Sequence, residues 1–373
     1  MSSDFQIVGG GVIGLLTARE LALAGATVTV IERTTCCGEA SWAGGGIVSP
    51  LYPWRYGRAV TALASQAQAL YPGLCAQLLD ETGIDPEHEV TGLLMLDAED
   101  APEALRWAQA LRMPIDQLQG PALYRRENGI ARGFRHALWM SGIANVRNPR
   151  LGQALTASLR RHPRVTLLEH TRVLGMDWVT DKGVRTLRSL QLEQAGVSRS
   201  LSASQVIVAA GAWSGRLLEQ AQVSVPVAPV KGQMLLYHAP RRLLNSIVLH
   251  AGRYLIPRRD CHILVGSTLE YTQFDKTTTV QALESLRASA IAMLPALEEL
   301  PVKQHWAGLR PGSPEGIPRI GSLPCWRNLH VNAGHYRNGL VLAPASARVL
   351  ADCLLGRTPL IDPAPYAPAL TVS

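Results

Sequence analysis

The 373 residues exceed the size at which one hydrophobic core keeps growing, so two domains are expected. Hydrophobic residues make up 47% and charged residues 17%, a balance that excludes a disordered chain. The formal charge of +7 is carried by scattered arginines (Arg19, Arg58, Arg125, Arg150, Arg216, Arg348) without a basic block, which points to small anions rather than nucleic acid.

The chain opens FQIVGGGVIGLLTARELALAGATVTVIER. Phe5 to Val8 is a short apolar run suited to a buried parallel strand. Gly9, Gly11 and Gly14 follow as GxGxxG: one for the tight turn, one for close approach to a pyrophosphate, one for packing helix on strand. A helix from about Ile13 to Ala24 aims its positive end at that pyrophosphate, and Gly25 ends it. Thr27 to Ile31 is a second strand, closed by Glu32, whose carboxylate is placed for a ribose hydroxyl and disfavours a 2′-phosphate. Arg33 is expected beside the adenosine. Adjacent Cys36 and Cys37 would form a strained bridge, and the six cysteines show neither CxxC nor zinc spacing. Free thiols, no metal and a cytoplasmic location are therefore expected, as no leader-like or membrane-spanning apolar run occurs.

FAD and NAD share this adenosine half, and three later features favour FAD. EASWAGGGIVSP (Glu39 to Pro50) is nearly all small residues and can run against a flat ring system. QVIVAAGAWSG (Gln205 to Gly215) reads as another buried strand with a small-residue turn at Gly211, so an insertion interrupts the nucleotide domain. LHVNAGHYRNGLVLAPASARVLADCLLG gives a strand over Leu329 to Asn332, then a helix with Pro344 in its first turn and Gly356 at its end. That helix start places backbone N–H groups at a flavin edge that gains negative charge on reduction.

The expected organisation is α/β plus α+β: a Rossmann-like FAD-binding domain from 1–83, 141–222 and 305–373, interleaved with an antiparallel-sheet substrate domain from 84–140 and 223–304. In the latter, Tyr254–Pro257 and His262–Gly266 form a hairpin around Arg258-Arg259-Asp260, and Gln281 to Leu294 has helical spacing stopped by Pro295.

Taken together, VGGGVIG, ASWAGGGIVSP, VIVAAGAWSG, YLIPR with VGSTLE, WAGLRPGSPEGIPRIG and AGHYRNGLVLAP resemble the D-amino-acid oxidase family of flavoproteins, nearest its glycine oxidases of thiamine biosynthesis. The resemblance covers essentially the whole chain. It implies that Arg310 binds the substrate carboxylate, that Tyr254 adds a hydroxyl to it, and that Arg337 lies beside flavin and substrate. It gives Leu269 an apolar substrate contact. Flavin contacts implied are Val12, Ile13, Glu32, Arg33, Ala40, Ser41, Gly45, Gly46, Ile47 and Val173, with His335, Tyr336, Arg337, Asn338, Gly339, Leu340 and Val341 around the ring. Cys325 is not at the place where related sarcosine oxidases attach the cofactor, so non-covalent FAD is expected. The resemblance also implies a homo-oligomer such as a tetramer.

The expected reaction is oxidation of glycine and small amines such as sarcosine and small D-amino acids. Arg310 supplies the planar fork matched to a carboxylate. Hydride then leaves Cα for flavin N5, giving an imine that hydrolyses to α-keto acid and ammonia, while O2 reoxidises the flavin to H2O2. His335 is the nearest candidate base by sequence, but packing beside the flavin is the favoured reading of it. The alternative is a dehydrogenase of the same fold that passes electrons to quinone or a partner subunit; a non-catalytic FAD-binding subunit is opposed by Arg310 and Tyr254.

Overall fold

A computed structural model describes residues 3–368. Its first sheet has six strands in the order Arg319–Ser322, Leu329–Ala333, Gln205–Val208, Phe5–Val8, Val28–Ile31 and Val165–Leu168. All pairings are parallel except that of Arg319–Ser322 with its neighbour. Both faces are covered, which is why these strands read as unbroken apolar runs. Ile7 and Val30 meet the helices Val12–Leu23, Arg58–Thr82, Asn148–Arg161 and Gly339–Leu354 on one face. Val8, Ile31 and Val208 meet Leu190 and Leu192 of a three-stranded antiparallel sheet on the other.

The first turn follows from its glycines. A Cβ on Gly14 would sit 1.9 Å from the Gly9 carbonyl oxygen, so the third glycine packs helix against strand. Gly9 has φ +114°, and Gly25 at φ +97° turns the chain after the helix. The C-terminal helix begins at Gly339, five residues before Pro344, so that proline lies in the second turn and not in the first. Pro344 has no N–H for the Leu340 carbonyl. That carbonyl accepts instead from buried Tyr71 Oη at 2.5 Å, which lets the helix continue.

The second sheet has eight strands in the order Gln304–Gly312, Ala228–His238, His262–Gly266, Arg253–Pro257, Ile247–His250, Leu93–Leu96, His136–Met140 and Asp116–Gln119. Only Ile247–His250 and Leu93–Leu96 pair in parallel. Alternation along each strand separates its faces. Leu235, Tyr237, Leu255 and Val265 pack under the helix Val280–Met293, whereas Met234, Tyr254, Ile256 and Leu264 face Ile47 and Tyr52 of the nucleotide part. The expected hairpin around Arg258-Arg259-Asp260 is present.

The boundary drawn at 305 is corrected by this sheet. The nine-residue strand Gln304–Gly312 is paired along its length with Ala228–His238, so the chain leaves the larger sheet only after Gly312.

Candidate active site

The larger cavity, about 460 Å³, lies between the two sheets. It runs from Glu32, Arg33 and Val173, past Gly9, Gly11, Val12 and Ile13, to Ala40, Ser41 and Gly45 to Ile47. Gly211 and the run His335 to Val341 line it as well, as do Tyr254 and Arg310. Every candidate from the sequence therefore lines it except Gly14, which packs beneath, and Leu269. Leu269 is 46% exposed and lines a second, outer cavity of about 330 Å³. Leu269 thus does not line the inner cavity.

The inner cavity fits FAD at several points. A Cβ on Gly11 would meet only Ser41 Oγ, at 3.2 Å, so the approach to the helix N-terminus is open. The N-cap residue Gly11 has no side chain to cap that helix, and its first amide, Val12 N, donates to Ser41 Oγ at 2.9 Å. Glu32 Oε1 accepts from Thr34 N at 3.0 Å and Thr34 Oγ1 at 3.1 Å, and Oε2 from Gly10 N at 2.8 Å, which fixes the carboxylate beside the groove and leaves a lone pair on Oε2. Around the inner end, Asn148 Oδ1, His335 Nδ1 and Asn338 Nδ2 are buried without a hydrogen-bond partner among the described residues. Buried polar atoms are rarely left so, and a polar ring system supplies what they lack.

Arg310 and Tyr254 sit on the cavity-facing side of the second sheet. Arg310 Nη1 donates to Lys231 O at 3.3 Å and Thr268 O at 3.2 Å, and Nη2 donates to Ser267 Oγ at 2.6 Å. The guanidinium lies flat over Gly232, where a Cβ would come within 2.2 Å of both Nη atoms. Tyr254 is buried over Gly266 in the same manner, a Cβ there coming within 2.3 Å of its ring. Its hydroxyl donates to Met234 Sδ at 3.4 Å. Two glycines thus admit the two polar side chains. Glu315, five residues after Arg310, is exposed and makes no ion pair with it.

The electrostatics set these groups apart from a base. Burial, with Arg337 close by, holds the Arg310 pKa below its ordinary value, yet it stays a cation. His335 donates or accepts at Ser346 Oγ, 2.7 Å away, and burial pushes its pKa down to about 3. Burial thus keeps its imidazole neutral. Burial raises Tyr336 to about 12, keeping its phenol protonated.

Met234, Gly232, Ser267 and Asn148 also line the cavity and were not singled out from sequence. Only the glycine carries a signal, in KGQ opposite the WAGLR strand. Of LYPWRY, only Leu51 lines it; Tyr52 Oη instead accepts from Gly252 N at 3.0 Å, and Trp54 donates to Asp100 at 2.6 Å. Among the described residues no cluster of His, Cys, Asp or Glu is arranged to hold a metal, and no helix is long and apolar enough to cross a membrane. No cysteine lines the cavity.

Comparison with known proteins agrees with this geometry. The chain is 55% identical over 373 residues to a glycine oxidase of Pseudomonas aeruginosa, covering 99% of both chains, and 53% identical over 369 residues to one of Pseudomonas putida, again covering 99% of both. The crystal structure of glycine oxidase from Geobacillus kaustophilus superposes with a TM-score of 0.91 at 29% identity, covering 100% of each chain. The family model described as FAD dependent oxidoreductase matches residues 4–353. Resting on both the match and the groove built to take the cofactor, the chain belongs to the FAD dependent oxidoreductase family of flavoproteins.

Proposed function

We propose that this FAD-dependent amino-acid oxidase acts on glycine and other small amines such as sarcosine and small D-amino acids, with a role in thiamine biosynthesis. The observation that carries the reading is Arg310, a desolvated fork at the sheet-side wall of the cofactor cavity with Tyr254 on the same wall. Arg310 and Tyr254 hold the α-carboxylate by paired N–H and O–H donors, which fixes the amine and Cα toward the ring. Bound FAD supplies the two-electron acceptor for the Cα–H. No carboxylate or titrating histidine lines the substrate end, so the amine must bind neutral. The Arg310 and Arg337 cations favour that neutral form by repelling an ammonium. The tight wall of Tyr254, Met234 and Leu51 suits small side chains. Product imine is released to water, where it becomes the α-keto acid, glyoxylate from glycine, plus ammonia.

The test is anaerobic addition of glycine, sarcosine, D-alanine and D-proline to the purified yellow protein, followed by admission of air. Flavin bleaching with at least one, and one H2O2 per turnover without an added acceptor, is expected. Bleaching without peroxide would turn the reading toward a dehydrogenase; no bleaching with any of the four refutes it.

A further inference from the structure

The outer cavity is lined by three guanidinium groups, those of Arg253, Arg310 and Arg337, and by no carboxylate. Glycine carries one carboxylate, and Arg310 with Tyr254 suffices to hold it. The two remaining cations call for a separate reason.

The outer cavity is continuous with the inner one, since Ser267, Arg310 and Arg337 line both. Arg253 and Arg310 grip the same residue from opposite sides: Arg253 Nη1 donates to the Ser267 carbonyl and Arg310 Nη2 to its hydroxyl. Arg253 is half-buried, its second Nη reaches only Ser285 Oγ at 3.4 Å, and its Nε has no partner among the described residues. Arg337 is exposed at the junction and has neither an ion pair nor a side-chain hydrogen bond among the described residues. The nearest acid, Glu270, does not line the cavity. It is occupied by Gln233 at 2.9 Å, by Thr268, and by Lys231 at 3.6 Å. Like charges gathered in a concave, partly dry site repel one another and concentrate anions. One bound α-carboxylate offsets Arg310 and leaves the other two uncompensated.

We propose that Arg253 and Arg337 form an outer anion subsite that accepts a second carboxylate, so that the enzyme takes amines with carboxylates on both sides of the nitrogen. Arg253 is the residue that discriminates these from monocarboxylic amines. A carboxylate two bonds beyond the nitrogen extends from the inner pocket toward the outer cavity, where Arg253 and Arg337 approach it from the two walls. Leu269 and Ala251 supply apolar lining around it. This rests on the proposed placement of the α-carboxylate on Arg310.

Two ligand pairs, each differing by one carboxylate, test it on the holoenzyme: sarcosine against iminodiacetate as substrates, and methoxyacetate against diglycolate as ligands with no oxidisable amine. Binding of the second pair is read by perturbation of the flavin visible spectrum. The wild type should bind diglycolate at least about tenfold more tightly than methoxyacetate, with a steeper salt dependence. Arg253→Met should abolish that preference and cut kcat/KM for iminodiacetate about tenfold or more, leaving sarcosine within about twofold. Arg253→Lys, which keeps charge without the fork, should fall between. Equal losses for sarcosine and iminodiacetate would make Arg253 a brace for Ser267 and overturn the subsite, as would a wild type indifferent to the second carboxylate. If sarcosine and glycine fail to reduce the flavin, the oxidase reading falls, while the methoxyacetate–diglycolate pair still decides the subsite.

Discussion

Arg310 makes three hydrogen bonds to the protein while facing the cavity, so its fork is aimed before any ligand arrives. Preorganisation of this kind lowers the ordering cost of binding. A hydrogen bond to a charged group contributes about 1.5–3 kcal/mol, so Arg310→Ala should lower kcat/KM for glycine from about tenfold to more than a hundredfold. The variant should keep its flavin, and steady-state kinetics beside the visible spectrum check both. Near-normal kinetics would remove Arg310 from its role. A second residue-scale effect concerns His330, buried between Ser322 Oγ at 2.9 Å and Gln205 Oε1 at 2.8 Å. Burial lowers its pKa from 6.5 to about 4. The unfolded chain therefore binds a proton that the folded chain refuses between those values. The stability His330 contributes is complete above pH 6.5 and is lost as pH falls toward 4, at about 1.4 kcal/mol per pH unit. Denaturant unfolding of the wild type and of His330→Gln from pH 7 to 4 should differ by this slope, the variant being the flatter.

At the scale of elements, the site depends on which residues face each other across a strand pair. Gly308 stands opposite Gly232 and Arg310 opposite Val230, and the arginine folds back over Gly232. The three atoms nearest a methyl there all belong to the Arg310 guanidinium, the far end of a flexible side chain, so Gly232→Ala should fold and hold FAD. Its guanidinium must swing away, and kcat/KM for glycine should fall about tenfold or more, as in the loss of Arg310 hydrogen bonds. Thermal melting and flavin content unchanged from wild type, with kinetics impaired, is the expected pattern; unimpaired kinetics would show that the fork does not need that place. This pairing also marks where the sequence was legible. The GxGxxG turn, the strand before it and the acid after it are local, and each glycine announces its own constraint. The strand character of WAGLRPG was hidden, because two glycines and a proline argue against a strand until the register with Ala228–His238 is known. Pro344 misled in the same way, since Tyr71, 269 residues from its acceptor Leu340, allows a proline inside a helix.

Across the whole molecule, the interleaving of two sheets was legible from the distance between the cofactor motifs, but not what fastens one sheet to the other. Arg258 stands in the polar turn of a hairpin, where exposed side chains are the rule. It is 6% exposed instead. Its Nη1 donates to Asn145 Oδ1 at 2.6 Å and Val146 O at 2.9 Å, and its Nη2 donates to Gly45 O at 2.8 Å. The eight-stranded sheet is thereby pinned to the small-residue loop that lines the cofactor groove. Burial lowers the pKa of Arg258 to about 10, still well above neutrality, so the charge is held by carbonyl dipoles without a carboxylate on it. A Cβ on Gly45 would crowd Ile256 at 3.0 Å and Tyr254 at 3.1 Å, so a longer residue there fills the gap only if both side chains shift. Arg258→Met keeps the apolar stem and removes all three donors, leaving three buried acceptors unpaired at about 1–3 kcal/mol each. The variant should melt well below the wild type and release FAD more readily, because loop and sheet are no longer held together. Excess FAD should restore much of the lost melting temperature by mass action. Arg310 is untouched, so at saturating FAD the KM for glycine should stay within a few fold of wild type. Melting curves with and without added FAD separate this from a purely local defect, which FAD would leave unrescued.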